Sequence, residues 1–235
     1  MDGKLYLVST PIGNLEDITL RALNVLKSVD LVAAEDTRHT RQLLSHYDLH
    51  VKLDSCHAFN EHSKVAGLID FVRSGGSVAL VSDAGTPSIA DPGFLLVRSA
   101  LEAGIEPGVI PGVSALTFAA TASGLPMDKF GFWGFAPVKP GKRGKFFARI
   151  MNDDRTGFFF ESPYRIARTL SELAALAPDA RIAVIREATK LHEEILRGSA
   201  AELAALKREW KGEFVVGVFP GGSAVDIDTE IDSLA

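Results

Sequence analysis

Cysteine is almost missing from this chain of 235 residues. The single Cys56 excludes an intramolecular disulfide and fits a reducing, cytoplasmic setting. No run of 18 apolar residues occurs, so no membrane span is expected. Met1-Asp2-Gly3-Lys4 passes straight into a strand pattern, without the apolar stretch of a secretory leader. Phosphate-binding glycine motifs are also missing. There is no Gly-x4-Gly-Lys-Ser/Thr and no Gly-x-Gly-x-x-Gly, so neither a nucleoside triphosphate nor a nicotinamide dinucleotide has support. The six histidines form no His-Glu-x-x-His pattern, and a lone cysteine makes no Cys-x-x-Cys, so no metal centre is expected. No serine stands in Gly-x-Ser-x-Gly. Positive charge is in deficit, 25 Lys and Arg against 30 Asp and Glu, and the net −5 argues against bulk, non-specific nucleic-acid binding.

What is present is a chain with 46% apolar residues, long enough for one large domain or two of half its length. Its centre is Ser82-Asp83-Ala84-Gly85-Thr86-Pro87-Ser88-Ile89-Ala90-Asp91-Pro92-Gly93, between the apolar run Ser77–Val81 and a helical pattern from Phe94 to Ala103. A strand, a Gly/Pro turn and a helix make the usual ligand-side connection of an α/β sheet. Gly85 permits close backbone approach, Pro87 and Pro92 stiffen the loop, and Asp83 stands at the strand end as an acceptor. A plain strand-to-helix turn has the same composition. Ahead of it, strands at Leu5–Val8, Leu31–Ala34 and Val51–Leu53 alternate with helices at Ile18–Val29, around Leu43–Tyr47 and at Glu61–Arg73, and Val109-Ile110 follows. This β-α alternation predicts a parallel sheet with its polar strand ends, 10–14, 35–40, 82–87 and 111–115, on one edge.

After a helix at 113–124 the pattern changes. Strands are expected at Phe130–Phe135, Phe158–Glu161, Arg181–Arg186, Glu194–Gly198 and Phe214–Phe219, with a helix ending at about Ala177 and another capped by Ser199 and running to Arg208. The short strand-to-strand steps predict a mixed sheet in a separate domain, so the domains are 1–113 and 114–235. Val225 to Ala235 reads as a polar, acidic, frayed end. Residues 1–113 hold 9 basic and 14 acidic side chains and residues 114–235 hold 16 of each, with four of those acids in the last ten positions.

Two sets of side chains carry candidate chemistry. Glu35, Asp36, Asp83, Glu161 and Glu187 lie at strand ends, where an unpaired carboxylate is costly. Arg38, Arg165, Arg186 and Lys190 could pair with them as scaffolding, or the acids could serve a site. His57, near Asn60 and Glu61, is a site histidine or an ordinary one. The run Lys139, Lys142, Arg143, Lys145, Arg149 and Arg155 places six cations in 17 residues against two acids. Its start, Pro137-Val138-Lys139-Pro140-Gly141-Lys142-Arg143-Gly144-Lys145, reads as a basic Gly/Pro loop, and the run is either a solvated helix face or a mobile phosphate-contacting arm for RNA.

Six ordered stretches together resemble the ribosomal RNA small subunit methyltransferase I family of the tetrapyrrole methylase superfamily. They are Leu5 to Ala22, Ala34-Glu35-Asp36-Thr37-Arg38-His39-Thr40, Ser82–Gly93, Pro111-Gly112-Val113-Ser114-Ala115, Glu161-Ser162-Pro163-Tyr164-Arg165 and Arg186-Glu187-Ala188-Thr189-Lys190. The resemblance runs from about residue 4 to residue 219. It implies a two-domain α/β fold with S-adenosyl-L-methionine in the cleft between domains, and a homodimer. It implies 2′-O-methylation of a cytidine ribose in the decoding region of 16S rRNA, within the small ribosomal subunit. Pro11, Asp83, Gly85, Thr86, Ser114 and Ala115 match the family's cofactor positions. The catalytic pool is Glu35, Asp36, Arg38, His57, Glu187 and Lys190: a base for the ribose hydroxyl and cations for phosphate or developing alkoxide.

Three departures stand out. The family's His-Glu-His-Asn-Glu-like run is His57-Ala58-Phe59-Asn60-Glu61 here, its Glu-Gly after the last strand is Phe219-Pro220-Gly221, and a C-terminal extension common in members is largely missing. The competing readings are a methyltransferase on a small tetrapyrrole-like substrate and a cofactor-binding ribosome assembly factor without turnover.

Overall fold

The computed structural model describes residues 3–57 and 60–221. The chain divides into two compact units, Met1–Ala115 and Leu116–Ala235. In the first, strands β1 (Lys4–Val8), β2 (Leu31–Ala34), β3 (Lys52–Ser55), β4 (Ser77–Val81) and β5 (Gly108–Ile110) form one sheet in the order β3-β2-β4-β1-β5. Every pairing in it is parallel. Helices α1 (Leu20–Ser28), α2 (Thr37–His46), α3 (Glu61–Arg73) and α4 (Phe94–Glu102) connect the strands.

Side-chain alternation along each strand assigns the helices to faces. Leu5, Leu7, Leu31, Ala33, Val78 and Leu80 pack on Val65, Leu68, Ile69 and Val72 of α3 and on Leu96 and Ala100 of α4. The intervening Val8, Val32, Ala34, Ala79 and Val81 pack on Ala22 and Leu26 of α1 and Leu44 of α2. Both faces are covered, which is why these strands read as unbroken apolar runs.

The second unit holds β6 (Phe130–Phe135), β7 (Thr156–Glu161), β8 (Arg181–Arg186), β9 (Glu194–Ser199) and β10 (Phe214–Phe219), in the order β6-β7-β10-β8-β9. β6 and β7 are parallel and the other pairings antiparallel, so the sheet is mixed as expected. After α5 (Ala115–Ser123), which begins at the junction of the units, come α6 (Pro140–Met151), α7 (Ile166–Leu176) and α8 (Ala200–Ala204). Phe147 and Ile150 of α6, Ile166, Leu170 and Leu173 of α7 and Leu203 of α8 form a core with Phe159, Ile182, Val184, Phe214, Val216 and Val218.

Several expectations need correction. The basic Gly/Pro loop is not a loop from Pro140 onward, because α6 begins there. Pro140 occupies the first helical position, where no N–H is required, and the buried residues Arg143, Phe147 and Ile150 recur at helical spacing. The basic loop placed at 139–149 is therefore a helix with Lys139 as its N-cap. The first helix starts later than Ile18: a 3-10 turn spans Leu15–Asp17, and Thr19 caps α1 by accepting the Ala22 N–H at 3.1 Å. Thr37 to Thr40 belong to α2 rather than to a strand-end loop, since Asp36 supplies the cap. The capping box of Ser199 and Glu202 is present, but α8 stops at Ala204 instead of reaching Arg208. Ala58, Phe59 and the segment 225–235 lie outside the described residues. No helix among the described residues is long and apolar enough to cross a membrane.

Candidate functional site

Because every pairing is parallel, the carboxyl ends of β1 to β5 share one edge, and the loops that follow converge there. The loops after β1 and β4 are stitched together. Thr10 N–H donates to Gly85 O at 2.8 Å and Gly85 N–H donates back at 3.0 Å. The Ser9 and Thr86 hydroxyls meet at 3.0 Å, and Thr10 Oγ1 donates to Ser82 O. Gly85 holds φ +78°, a conformation that side-chain-bearing residues rarely adopt. Gly112 in the turn after β5 lies so close to β1 that a Cβ there would come within 2.8 Å of the Ser9 Cβ. Pro11 is buried beside this stitch, while Ser114 and Ala115 are half-buried at the entry to α5. The six cofactor candidates, Pro11, Asp83, Gly85, Thr86, Ser114 and Ala115, thus follow three strand ends of a single edge.

Carboxylates crowd the same edge. Asp83 Oδ1 accepts the Asp36 N–H at 2.8 Å, and its Oδ2 lies 3.4 Å from His39 Nδ1. Glu35 Oε2 faces the Asp83 N–H at 3.4 Å. Burial raises the Glu35 carboxyl, as do the charges of Asp83 and Asp36, while the Asp83 N–H and nearby His57 partly offset the rise. Asp91, in the loop between β4 and α4, is pushed up to about 6, by burial first and by the Glu35 charge next, against a hydrogen bond from Ser82. Asp36 behaves oppositely. It binds the Arg38 guanidinium through both oxygens, at 2.6 Å for the shortest contact, and caps α2 through the Arg38 N–H, so it stays well below the usual carboxylate range. Among the described residues no lysine or arginine pairs with Glu35, Asp83 or Asp91. The edge therefore presents carboxylates without a lysine or arginine partner, a surface suited to a cationic group.

Of the catalytic pool, Glu35, Asp36, Arg38 and His57 gather at this edge. The Arg38 side chain is 82% exposed and reaches solvent with Asp36 as its partner. Glu187 and Lys190 belong to the second unit, in the β8–β9 turn. There the Lys190 ammonium bridges Glu187 at 3.2 Å and Glu213 at 2.9 Å. Burial alone would raise Glu187, but the Glu213 N–H and Lys190 outweigh it and hold the carboxyl low. Lys190 is raised in turn, since its two carboxylates outweigh burial. The turn is strained: Glu187 and Thr189 have φ +50° and +65°. Two site-edge residues were not singled out from sequence. Asp91 stands in the central stretch Ser82–Gly93 with no role assigned there. Glu61 is buried and its Oε1 accepts from the N–H groups of Gly93, Leu95 and Leu96, capping α4 from another helix. Gly93, having no side chain, leaves that role open, which was the one available signal.

Arg143 is a correction to the RNA-contact set. Its side chain is 2% exposed and pairs with Glu161 at 3.0 Å and Glu172 at 2.5 Å, and it also donates to Thr169 and to Pro137 O. A guanidinium this enclosed cannot reach phosphate. Lys139, Lys142, Lys145 and Arg149 remain exposed, and Arg149 stacks 4.7 Å from the Trp133 ring centroid. Cys56 is buried and its thiol is pushed up to about 11 by that burial, so it stays an unreactive neutral group.

Residues 4–204 match the family of tetrapyrrole (corrin/porphyrin) methylases. A protein of Xylella fastidiosa named ribosomal RNA small subunit methyltransferase I is 48% identical over 91% of this chain and 80% of its own length. Proteins of the same name from Halalkalibacterium halodurans and Escherichia coli O157:H7 are each 44% identical, over 95% and 99% of this chain and 78% and 82% of their own. Among solved structures, uroporphyrin-III-C-methyltransferase from Thermus thermophilus superposes with TM-score 0.66 at 22% identity, covering 93% of this chain and 94% of that one. The methyltransferase CobJ superposes with TM-score 0.69 at 19% identity, covering 92% and 93%. At these identities the two structures speak for the fold alone.

Proposed function

The chain belongs to the tetrapyrrole methylase family and, within it, to the ribosomal RNA small subunit methyltransferases I; from this we propose that it uses S-adenosyl-L-methionine to methylate the ribose 2′-oxygen of a cytidine in the decoding region of 16S rRNA. The observation that carries the cofactor half of the reading is the edge where Glu35 and Asp83, with no lysine or arginine partner among the described residues, follow the same strand ends as the stitch between Thr10 and Gly85. The residues fit such a group. Glycine at 85 and 112 lets the loops after β1, β4 and β5 pack closely at this edge, and the carboxylates favour a cationic centre. Pro11, Asp83, Gly85, Thr86, Ser114 and Ala115 are the residues that would hold it. When bound, the cofactor supplies an electrophilic methyl carried on a sulfonium.

What remains for the protein is alignment and proton removal. An in-line displacement gains chiefly from fixed geometry, which a loop stitched by two backbone hydrogen bonds supplies. The ribose hydroxyl is a poor nucleophile near neutral pH, so a base assists. His57, which lies near Glu35 at this edge, is the better candidate in the pool. Glu187, held low by Lys190 and Glu213, is a poorer base. Arg38, exposed at the rim, fits a phosphate contact. Lys139, Lys142, Lys145 and Arg149 of the second unit are exposed cations available to RNA phosphates. The small ribosomal subunit as the form of the substrate, a homodimeric state and a cytoplasmic location belong to this same reading.

The test is methyl transfer from labelled S-adenosyl-L-methionine to small subunits lacking the modification, with the product nucleoside identified by mass spectrometry. The expected product is 2′-O-methylcytidine, with His57→Ala losing transfer while retaining cofactor binding. Transfer to a tetrapyrrole instead, or tight cofactor binding without any transfer, would overturn the reading.

A further inference from the structure

Loops after β6 and β7 are locked together more firmly than any surface need explains. Arg165 Nη1 donates to Ala136 O at 2.9 Å, and Arg143 Nη1 donates to Pro137 O at 3.3 Å. Both guanidinium groups also grip Glu161, whose side chain is wholly buried. Between Glu161 and α7, residues 162–165 form a β-turn closed by Arg165 N–H to Ser162 O at 3.0 Å. Pro163 fixes its second position, and Ser162 N–H donates to Glu161 Oε1. The third position of this rigid turn is Tyr164, and its surface is 96% exposed.

The other two tyrosines have structural uses: Tyr6 packs against the core, and the Tyr47 hydroxyl donates to Leu15 O at 2.6 Å. Tyr164 contributes nothing comparable to the fold. An aromatic ring held in water by an immobile turn is already organised for a partner, because little conformational freedom remains to be lost on binding. The adjoining loop carries exposed Val138 and Lys139, and Lys142 follows in the first turn of α6. The carboxylates nearest this turn do not offset those lysines. Glu161 is paired with Arg143 and Arg165, and Glu172 with Arg143 and Arg168.

We infer that Tyr164 is a stacking platform for an unpaired base of the RNA substrate, with Lys139 and Lys142 contacting the flanking phosphates. The inference rests on the RNA-methyltransferase reading and adds the residue that reads an exposed base face. Stacking accepts any base, so it positions the strand rather than selecting a sequence. A polyanion with bases between its charges matches an aromatic set among lysines better than a second copy of a chain with net charge −5 does.

The experiment compares Tyr164→Ala, Tyr164→Leu and Tyr164→Phe with the wild type. It measures affinity for unmodified small subunits, kcat and KM for methyl transfer, cofactor affinity, and mass in sedimentation. Tyr164→Ala and Tyr164→Leu are expected to weaken subunit binding and raise KM by about 5- to 150-fold, the range for one stacked base. Cofactor affinity and mass should be unchanged, and Tyr164→Phe should stay within about twofold of wild type, since it keeps the ring. Wild-type binding by Tyr164→Ala overturns the inference. So does full rescue by Tyr164→Leu, which would mean an apolar contact. A lower mass for Tyr164→Ala also overturns it, since the ring would then belong to an interface between copies. If the wild type binds subunits but transfers no methyl, the activity reading falls while the binding arm still decides the role of Tyr164. If the wild type binds no subunit, both fall together.

Discussion

Two groups of carboxylates, one in each unit, are held in opposite ways. In the first, among the described residues, Glu35, Asp83 and Asp91 share an edge where no lysine or arginine forms an ion pair with them, and Glu35 and Asp91 are raised. In the second, Glu161, Glu172, Glu187 and Glu194 each meet a guanidinium or an ammonium, and Glu172, Glu187 and Glu194 are held low. Pairing in the second unit completes the fold and leaves little charge to offer. The unpaired edge of the first leaves charge to be satisfied by something that binds. The same residue type at the same kind of position, a strand end, is scaffolding in one unit and a candidate site in the other, and what separates them is whether a cation is built in.

The largest expected break in this contrast is Arg143→Met. It removes a buried guanidinium from Glu161 and Thr169 and should cost about 3–5 kcal/mol, the usual penalty for removing one member of a buried ionic set. Urea unfolding would read it as a lower midpoint at unchanged slope. A loss below about 1 kcal/mol for the single variant would show that Arg143 can be spared from the core. Next in size, Asp83→Asn removes a charge from the first unit's edge but keeps the acceptor for the Asp36 N–H. Cofactor affinity should fall about tenfold, roughly 1.4 kcal/mol, with folding stability changed by less than about 1 kcal/mol. Calorimetric titration and unfolding of the same sample check both halves. Equal affinity would remove Asp83 from the cofactor set.

Acid should act on Asp91 and on the paired glutamates of the second unit with opposite sign. Asp91 is raised from 3.8 to about 6 in the folded chain. Between those values the unfolded chain has released its proton and the folded chain has not, so this group's contribution to stability falls as pH rises. Asp91→Asn should therefore be more stable than wild type at pH 7 and indistinguishable from it below about pH 4. Glu172, Glu187 and Glu194 are depressed below 4.5, so the stability they contribute is present above that value and is lost as pH falls through their folded values. Thermal unfolding of wild type and Asp91→Asn from pH 3 to 8 separates these trends. A constant difference across that range would contradict the role assigned to Asp91.

Most of the fold was legible because both strand periods and helix periods were strong: Glu61–Arg73, Ser77–Val81, Phe130–Phe135, Arg181–Arg186 and Phe214–Phe219 stand where patterning places them. The failure at Pro140–Met151 came from weighing glycine and proline as loop formers when the 143, 147, 150 stripe was helical. The candidate edge was legible as a set of strand ends in a parallel sheet. Its energetics were not. Composition shows that Arg143 is cationic, but only the fold shows that its neighbours are Glu161 and Thr169 rather than water. The capping of α4 by Glu61 and the coupling of Asp91 to Glu35 join elements far apart in sequence, where periodicity is silent.

The smallest expected effects compare Arg143 with its own neighbours. Lys142 and Lys145 are exposed on the same helix and fix nothing in the core. Lys142→Ala and Lys145→Ala should each shift folding stability by less than about 0.5 kcal/mol, where Arg143→Met shifts it several-fold more. Their cost should appear in RNA binding instead. Each lost phosphate contact lowers the slope of log affinity against log salt by about 0.7 to 0.9. Filter binding to small subunits across a salt series reads this directly. Unaltered slopes would make the exposed lysines of α6 a solvated face, leaving the helix with a purely structural charge at Arg143. Altered slopes would mean that one turn of helix divides its cations by burial, with the enclosed one for the fold and the open ones for the polyanion.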